Sequence, residues 1–215
     1  MSKAVILLSG GLDSATTLYH AQSKGYDCHC LIFDYGQRHK KEIHAAKAIA
    51  RTAGVSWQVV NIDLPWKGSA LLDKKIKLPR QLDARHIPVT YVPARNIIFL
   101  SLAASFAEAI GARHIFIGAN AIDYSGYPDC RPAFIRAFQA MLAQGLKTGV
   151  EGKRIRVETP LIHLTKAGIV KLAMKLGVPV DKTWSCYQGG KTPCGTCDSC
   201  RLREKGFKDA AIGHR

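Results

Sequence analysis

The chain has 215 residues, 47% of them hydrophobic, which suits one globular core with a small appendage. Its 31 Lys and Arg against 16 Asp and Glu leave a net charge of +15, as in RNA-binding proteins, enzymes for anionic small molecules, or simply basic proteins. No apolar run approaches the roughly 18 to 20 residues of a membrane helix, and no signal peptide precedes the first predicted strand. We therefore expect a cytoplasmic protein without a membrane partner.

The first segments of the chain form a predicted strand, loop and helix. "AVILL" at residues 4–8 is an aliphatic run typical of a buried parallel strand, and "DSATTLYHAQSKG" has a helical pattern. Between them, Gly10 and Gly11 permit a tight turn and leave no side chain to keep a ligand from the backbone amides. This arrangement predicts an anion-binding loop, with an ordinary strand-to-helix turn capped by Asp13 or Ser14 as the alternative.

The loop "SGGLDS" differs from two common phosphate-binding loops. Neither GxxxxGK(S/T) nor GxGxxG occurs here, which excludes a P-loop and a dinucleotide fingerprint at this position. The hydroxyls of Ser9 and Ser14 and the positive end of the following helix dipole are further partners for an anion. "SGGLDS" is similar to the PP-loop of the ATP pyrophosphatase superfamily, whose members hold ATP by its phosphates and attack its α-phosphorus.

Strand and helix patterns alternate through the following chain. "HCLIFDYG" predicts a strand ending at Asp34, "KEIHAAKAIARTAG" a helix, and "SWQVVNID" a third strand. This alternation predicts an α/β fold with a doubly wound, mostly parallel sheet, in which ligands bind beyond the carboxyl ends of the strands. Asp13, Tyr35 and Asp63 all follow such ends.

The second half continues the same pattern. "RNIIFLSLAASFAEAIG", "PAFIRAFQAMLAQGLK" and "TKAGIVKLAMKLGVP" predict helices, the last capped by Thr165, and "RHIFIGAN" and "KRIRVETPL" predict strands. The first of these strands is expected to end at Asn120. Residues 64–90 have three prolines and no clean period, which predicts a surface loop or a mobile flap over the substrate.

The loop "AIDYSGYPDCRPAF" follows a predicted strand end and is dense in polar and aromatic residues. An α/β fold places specificity determinants at such ends. This loop is therefore a candidate substrate site, and the alternative is a surface loop of chance polar content.

Seven cysteines in a chain expected to be intracellular favour metal binding or catalysis over disulfides. Cys28 and Cys30 alternate along a predicted strand and point to one face, so we interpret them as small core residues. Four others, spaced in "CYQGGKTPCGTCDSC", suit a tetrahedral Zn²⁺ site, and an iron–sulfur cluster is the alternative; they are Cys186, Cys194, Cys197 and Cys200. We expect residues 1–180 to form the nucleotide-binding domain and residues 181–215 a metal-binding tail.

Motifs along the chain together identify a narrower resemblance. "LSGGLDS", "DYGQRH", "VPARN", "GANAIDYSGYPDCRP", "TPL", "TWSCY" and "PCGTCDSCRLR" occur in this order over residues 4–207. They resemble the 7-cyano-7-deazaguanine synthase family of the PP-loop superfamily. The resemblance implies an adenine nucleotide alpha hydrolase-like fold, ATP and Mg²⁺, one structural Zn²⁺, and conversion of 7-carboxy-7-deazaguanine and ammonia to the nitrile in queuosine biosynthesis.

The resemblance also implies roles for individual residues. Asp13, Lys166 and Arg95 are candidate catalytic residues, although Lys166 and Arg95 are equally compatible with exposed positions near helix starts. The ATP-binding set is Leu8, Ser9, Gly10, Gly11, Leu12, Asp13, Ser14, Ala15, Thr16, Thr17 and Leu18. The substrate-binding set is Tyr35, Gln37, Arg38, Asp123, Tyr124, Tyr127, Asp129 and Arg131. Cys130 lies in the same motif, and we assign it no nucleophilic role.

Two other functions remain open from the residues alone. A PP-loop tRNA-modifying enzyme, such as a thiolase or a lysidine-type ligase, would share the loop and benefit from the positive charge. A zinc-ribbon binding module that keeps the ATP fold without turnover is the second alternative. We expect small-molecule substrates, a homodimer and no nucleic-acid partner, and whether the nucleotide product is AMP or ADP stays open.

Overall fold

The computed structural model describes residues 1–78, 86–122 and 126–211. Five parallel strands form one sheet in the order β3-β2-β1-β4-β5, which confirms the predicted parallel α/β architecture. The strands are β1 Lys3–Leu7, β2 Asp27–Asp34, β3 Ser56–Asn61, β4 His114–Phe116 and β5 Arg156–Glu158. Because the strand order reverses beside β1, the carboxyl end of β1 lies at the switch point where ligands bind in such sheets.

Helices cover both faces of the sheet, as a doubly wound fold requires. The helices are α1 Leu12–Ser23, α2 Lys41–Thr52, α3 Arg95–Ile110, α4 Pro132–Gly145, α5 Lys147–Val150, α6 Lys166–Lys175 and α7 Asp198–Asp209. Two 3₁₀ turns, Pro128–Cys130 and Val180–Lys182, join them. None of the helices in the described part of the chain is long and apolar enough to cross a membrane.

Alternation along β1 divides the core into two clusters. Ala4 and Ile6 pack with α1, α2, α6 and α7, whereas Val5 and Leu7 pack with α3 and α4. Burial on both sides explains why β1 reads as an unbroken aliphatic run. Cys28 and Cys30 lie buried in the first cluster, which confirms their interpretation as core residues.

The last two strands are shorter than their sequence patterns predict. β4 ends at Phe116, four residues before Asn120, and only one further ladder bond, from Ile117 N to Glu158 O at 3.1 Å, follows it. At Gly118 the chain runs against α1, where a Cβ would lie 3.0 Å from the carbonyl carbon of Asp13. The strand therefore stops because its backbone approaches the start of α1 instead of a neighbouring strand.

Part of the segment at residues 64–90 is a fixed wall of the protein and not a surface loop. Ser69, Ala70 and Leu71 are buried. The Arg38 guanidinium donates hydrogen bonds to three carbonyl groups of this segment, those of Ala70, Asp73 and Ile76. The expected flap does not hold for residues 69–71, and residues 79–85 lie outside the described residues.

The C-terminal tail packs on the nucleotide-binding unit. Phe207 of α7 and Ala210, directly after this helix, lie in the same buried cluster as Ile169 of α6. The backbone N–H of Trp184 donates to the carbonyl oxygen of Gly10 at 2.9 Å. The division between residues 180 and 181 stays a prediction, but the tail shares its apolar contacts with the rest of the chain.

Candidate functional site

A cavity of about 310 Å³ opens at the carboxyl edge of the sheet. Its walls come from the "SGGLDS" loop, the end of β2, the first turns of α2 and α3, the start of α6, and the tail. Both candidate catalytic cations, Lys166 and Arg95, line it together with Asp13. Residues that are 153 positions apart in the chain thus face one space.

The "SGGLDS" loop holds its shape through hydroxyl groups. Ser9 Oγ and Ser14 Oγ lie 3.0 Å apart, the Ser9 amide donates to Ser14 Oγ at 3.1 Å, and the Gly11 amide donates to Ser9 Oγ at 3.3 Å. Gly10 has a φ of +87°, and a Cβ on it would lie 2.3 Å from the carbonyl oxygen of Glu42. Glycine is required there both for the backbone conformation and for close approach of α2.

Only part of the predicted ATP-binding run lines the cavity. Leu8, Ser9, Gly11, Leu12, Asp13 and Ser14 do so, whereas Gly10, Ala15, Thr16, Thr17 and Leu18 do not. Gly10 is turned toward α2. The hydroxyls of Thr16 and Thr17 donate to the carbonyl oxygens of Leu12 and Asp13, at 2.8 and 2.9 Å. Residues 15–18 are buried on α1 and support the loop instead of facing a ligand.

Asp13 and Lys166 form an ion pair in the cavity wall. Lys166 Nζ lies 2.8 Å from Oδ1 and 2.7 Å from Oδ2 of Asp13. Thr165 accepts a hydrogen bond from the Gly168 amide at 3.1 Å, so its predicted cap fixes the start of α6 beside the loop. Gly206 of α7 leaves room for Lys166, because a Cβ there would lie 2.3 Å from Lys166 Cγ.

Arg95 occupies the opposite wall among aromatic rings. Its guanidinium donates to the Tyr35 hydroxyl at 3.3 Å and lies 5.7 Å from the Tyr35 ring centroid and 6.0 Å from that of Phe99. Ala94, immediately before it, has a φ of 55° and donates its N–H to the Tyr91 hydroxyl at 3.1 Å. This left-handed turn sets the direction in which α3 begins, and with it the position of Arg95.

Glu42 lies in the same wall and was not among the sequence candidates. Burial raises the pKa of its carboxyl to about 7, although the positive charge of Arg95 acts to lower it. Glu42 and Asp13 are the two acidic residues among the described residues that line the cavity. The cavity therefore contains the Asp13–Lys166 ion pair and, separately, the Glu42 carboxyl, which lies near Arg95 without forming an ion pair with it.

Three predicted substrate residues line the cavity. Tyr35 is buried beside Arg95. Gln37 accepts from the Tyr35 amide at 2.8 Å and donates to the Phe33 carbonyl at 3.2 Å, which fixes the turn after β2. The Tyr127 hydroxyl lies 2.8 Å from Thr90 Oγ1 and the ring faces the cavity. These side chains give the site flat, apolar surfaces with polar edges.

Other predicted substrate residues are placed elsewhere. Arg38 is engaged with the carbonyl groups of residues 70–76, as described above, and Asp129 accepts from the Asn96 amide at 3.0 Å at the start of α3. Arg131 is exposed at the start of α4. None of these three lines the cavity. Asp123 and Tyr124 lie outside the described residues.

Several residues of the wall were not among the predicted site residues, although most of them, unlike Glu42 and Phe99, lie within the quoted motifs. Asn120 donates to the Leu161 carbonyl at 3.2 Å and so ties the segment after β4 to the segment before α6. Arg203 of α7 donates to Thr183 Oγ1 at 2.7 Å and to the Val180 carbonyl at 2.9 Å. Cys130 lines the wall with a thiol whose pKa burial raises to about 11, so it stays protonated at neutral pH. The overlooked lining residues include Glu42, Asn96, Phe99, Asn120, Trp184, Ser185, Tyr187, Ser199 and Arg203.

The four tail cysteines converge beside the cavity. The Sγ atoms of Cys186, Cys194, Cys197 and Cys200 all lie within 4.8 Å of one another, and those of Cys194 and Cys200 are 4.0 Å apart. A tetrahedral ion at about 2.3 Å from each sulfur needs sulfur atoms about 3.8 Å apart, so the set fits a metal. Burial opposes ionisation of Cys194, but hydrogen bonds from Cys197 and Thr196 lower its pKa to about 6, and a metal needs the thiolate.

Comparison with known proteins identifies the family to which the chain belongs. The model of the family described as queuosine biosynthesis protein QueC matches residues 3–211. A 7-cyano-7-deazaguanine synthase of Trichormus variabilis is 56% identical over 98% of this chain and 95% of that protein. A 7-cyano-7-deazaguanine synthase of Thermoplasma acidophilum is 54% identical over 97% of this chain and 88% of that protein.

A solved structure supports the fold alone. An NMN synthetase from Francisella tularensis superposes with a TM-score of 0.53 and 14% identity, covering 100% of this chain and 79% of that chain. The family model and both relatives span nearly the whole chain, including the "SGGLDS" loop, the cavity walls and the four cysteines. The chain therefore belongs to the QueC family of 7-cyano-7-deazaguanine synthases, within the PP-loop superfamily.

Proposed function

We propose that this chain converts 7-carboxy-7-deazaguanine and ammonia to 7-cyano-7-deazaguanine at the expense of ATP, as a step of queuosine biosynthesis. The observation that carries the proposal is one cavity that combines the phosphate loop, the Asp13–Lys166 pair and Arg95 among aromatic rings. Family membership and identities of 54–56% to named synthases support the same reaction.

The chemistry of the reaction explains why the site must bind ATP next to the base. A carboxylate is a poor electrophile and hydroxide is a poor leaving group, so each oxygen must first be activated. Attack of the carboxylate on the α-phosphorus of ATP gives an acyl adenylate and pyrophosphate, and ammonia then displaces AMP to give the amide. A second ATP adenylates the amide oxygen, and loss of AMP leaves the nitrile. One nucleotide site can serve both dehydrations.

The loop and the nearby cations would hold the phosphates. The amide of Gly11, the hydroxyls of Ser9 and Ser14 and the N-terminal end of α1 favour an anion. Lys166 and Arg203 bring positive charge to the same wall. Asp13 supplies the carboxylate oxygens that Mg²⁺ prefers, and with the cations it would offset charge that develops at phosphorus.

The other wall would bind the deazaguanine. Tyr35, Phe99 and Tyr127 offer aromatic faces and edges to a flat heterocycle. The planar guanidinium of Arg95 is suited to a two-pronged contact with the 7-carboxylate. Placed between rings and phosphate loop, the acid oxygen would lie in line for attack on the α-phosphorus.

We propose Zn²⁺ for the four cysteines, with a structural role. Four thiolates fill a tetrahedral shell and leave no open position for catalysis. The ion would hold together a segment that docks on the site, since Trp184 contacts Gly10 and His39 Nε2 lies 2.9 Å from the Cys186 carbonyl oxygen. We also propose that the enzyme is a cytoplasmic homodimer that binds no nucleic acid. The exposed apolar side chains of Ile97, Leu102 and Met141 support a contact between copies.

The purified protein incubated with ATP, Mg²⁺, ammonium and 7-carboxy-7-deazaguanine tests the proposal. Mass spectrometry should detect the nitrile together with AMP and pyrophosphate. If the mass of the 7-carboxy-7-deazaguanine does not change, the proposed reaction is contradicted. Binding of tRNA with a strong salt dependence would then favour the tRNA-modifying alternative.

A further inference from the structure

Glu42 is an acidic residue in the cavity wall that has no role in the reaction proposed above. It lies in the first turn of α2 and lines the cavity. Among the described residues, no group makes a hydrogen bond to its carboxylate or an ion pair with it within 4.0 Å. Asp13, the other acid that lines the cavity, is already paired with Lys166 at 2.7 Å. The Glu42 carboxylate is therefore available to a ligand in the cavity.

Glu42 lies between the phosphate loop and Arg95. Its backbone carbonyl packs against Gly10, where a Cβ would lie only 2.3 Å away. On the other side, the charge of Arg95 is close enough to lower the pKa of Glu42, and Glu42 acts in turn on Tyr35. A group placed between the phosphate loop and Arg95 lies beside the carboxyl that is being activated in the proposed function.

The chemistry of the Glu42 carboxylate limits the kinds of ligand that it could bind. An acid beside the 7-carboxylate cannot also reach the amino-pyrimidine edge, which lies on the opposite side of the fused rings. A second anion near the substrate carboxylate and the phosphates does suit a small cation. Ammonium is the cationic form in which the nitrogen donor is present at neutral pH, and it must lose a proton before it can attack carbon.

We propose that Glu42 binds the ammonium ion and takes one proton from it, so that ammonia is released beside the activated carboxyl. The inference rests on the proposed function. One N–H bond of ammonium breaks and an O–H bond forms on Glu42. The nitrogen lone pair then attacks the acyl carbon, the bond from carbon to the AMP oxygen breaks with its electron pair, and that oxygen receives a second N–H proton.

The environment of Glu42 fits this task. Burial raises the pKa of its carboxyl to about 7, so the group is ionised above neutral pH and still holds a proton well enough to remove one from ammonium. Several other charged and titratable groups from the surrounding elements face the same space: Arg95, Tyr35, Asp13, Lys166, Arg203, Tyr127, Cys130 and Tyr187. Burial raises the pKa of Tyr35, so its hydroxyl stays protonated through the neutral range.

Glu42→Gln tests the inference, because it keeps the size and polarity of the side chain and removes the proton acceptor. Without ammonium, the variant should catalyse exchange of labelled pyrophosphate into ATP, dependent on 7-carboxy-7-deazaguanine, within about twofold of wild type. Its kcat/KM for ammonium at pH 7.5 should fall by about 100-fold, the usual range for losing a general base. Glu151→Gln, on an exposed side chain, is the matched control and should behave as wild type.

The pH profile separates lost proton transfer from a general defect. The rate of Glu42→Gln should follow the concentration of free ammonia and rise about tenfold per pH unit between pH 7 and 9, whereas wild type should change little over this range. An ammonium dependence equal to wild type would overturn the inference. Loss of the exchange reaction would also overturn it, because Glu42 would then act on ATP or the base. A wild type that forms no nitrile at all would instead refute the proposed function, and the inference with it.

Discussion

Lys166 Nζ bridges both carboxylate oxygens of Asp13, at 2.8 and 2.7 Å, and so joins the first residue of α6 to the first turn of α1. The pair is partly buried, with the two side chains 19% and 26% exposed. An ion pair in this position keeps a cation and a potential Mg²⁺ ligand at the mouth of the phosphate loop. Loss of this ion pair should therefore lower the rate of the reaction more than it lowers the stability of the fold.

Lys166→Met should reduce pyrophosphate–ATP exchange by about 100-fold, since a cation near the phosphates is lost and Asp13 is left unpaired. Lys171→Met is the control, because Lys171 lies on the same helix with an exposed side chain. Exchange at the wild-type rate in Lys166→Met would show that the lysine has no part in adenylation. Asp13→Ala should likewise abolish turnover while the tail keeps its metal.

Gly10→Ala should be more destabilising than an ordinary substitution of a left-handed glycine. Gly10 and Gly25 have similar φ values, +87° and +80°, but a Cβ at Gly25 meets nothing within 4 Å. We expect Gly25→Ala to lower the free energy of unfolding by about 1 kcal/mol, the conformational cost alone. Gly10→Ala should lower it by more than about 3 kcal/mol, because the α2 backbone must also move. Equal losses in urea unfolding would refute the close approach of α2.

Cys197→Ser should release the metal and loosen the tail, since three ligands hold Zn²⁺ poorly and the segment depends on the ion. Elemental analysis should find about one zinc per chain in the wild type and almost none in the variant. The Cys28→Ala variant, which changes a buried residue of β2, should keep the zinc. Visible absorption that disappears with the cysteine would indicate an iron–sulfur cluster instead.

Glu42→Gln should be more stable than wild type at high pH. The Glu42 carboxyl has a pKa of about 7 in the folded protein against an ordinary 4.5, so the folded state holds a proton that the unfolded chain releases. Ionising it therefore costs the wild type stability as the pH rises from 4.5 to 7. Between pH 5 and 8 the difference in free energy of unfolding should shift by about 2 kcal/mol in favour of the variant. A pH-independent difference would contradict the burial of this acid.

The elements of this fold were predictable where local pattern and tertiary burial agree. β1 is an uninterrupted aliphatic run because it is buried on both faces, and Thr165 has a capping side chain that bonds within its own helix. The lengths of β4 and β5 were not predictable. The end of β4 depends on the approach of Gly118 to Asp13, two residues far apart in sequence.

The site was predictable only where the residue types and spacing of a motif by themselves indicate a ligand. The phosphate loop and the four cysteines satisfy this condition. Arg38 lies in the motif "DYGQRH" and has a guanidinium suited to an anion, but the fold brings carbonyl groups of residues 70–76 to it instead. Conversely, Glu42 resembles any acidic residue in the first turn of a helix, and only the packing of α2 on Gly10 turns it toward the cavity.

Oxygen labelling of the substrate tests the central claim most directly, namely that the carboxyl is activated by attack on the α-phosphorus held at the "SGGLDS" loop. The enzyme would be given 7-carboxy-7-deazaguanine carrying ¹⁸O in both carboxyl positions, with ATP, Mg²⁺ and ammonium. We predict two AMP molecules per nitrile, each with one ¹⁸O, and unlabelled pyrophosphate. Label in inorganic phosphate, with ADP as the nucleotide product, would place the attack on the γ-phosphorus and contradict the account.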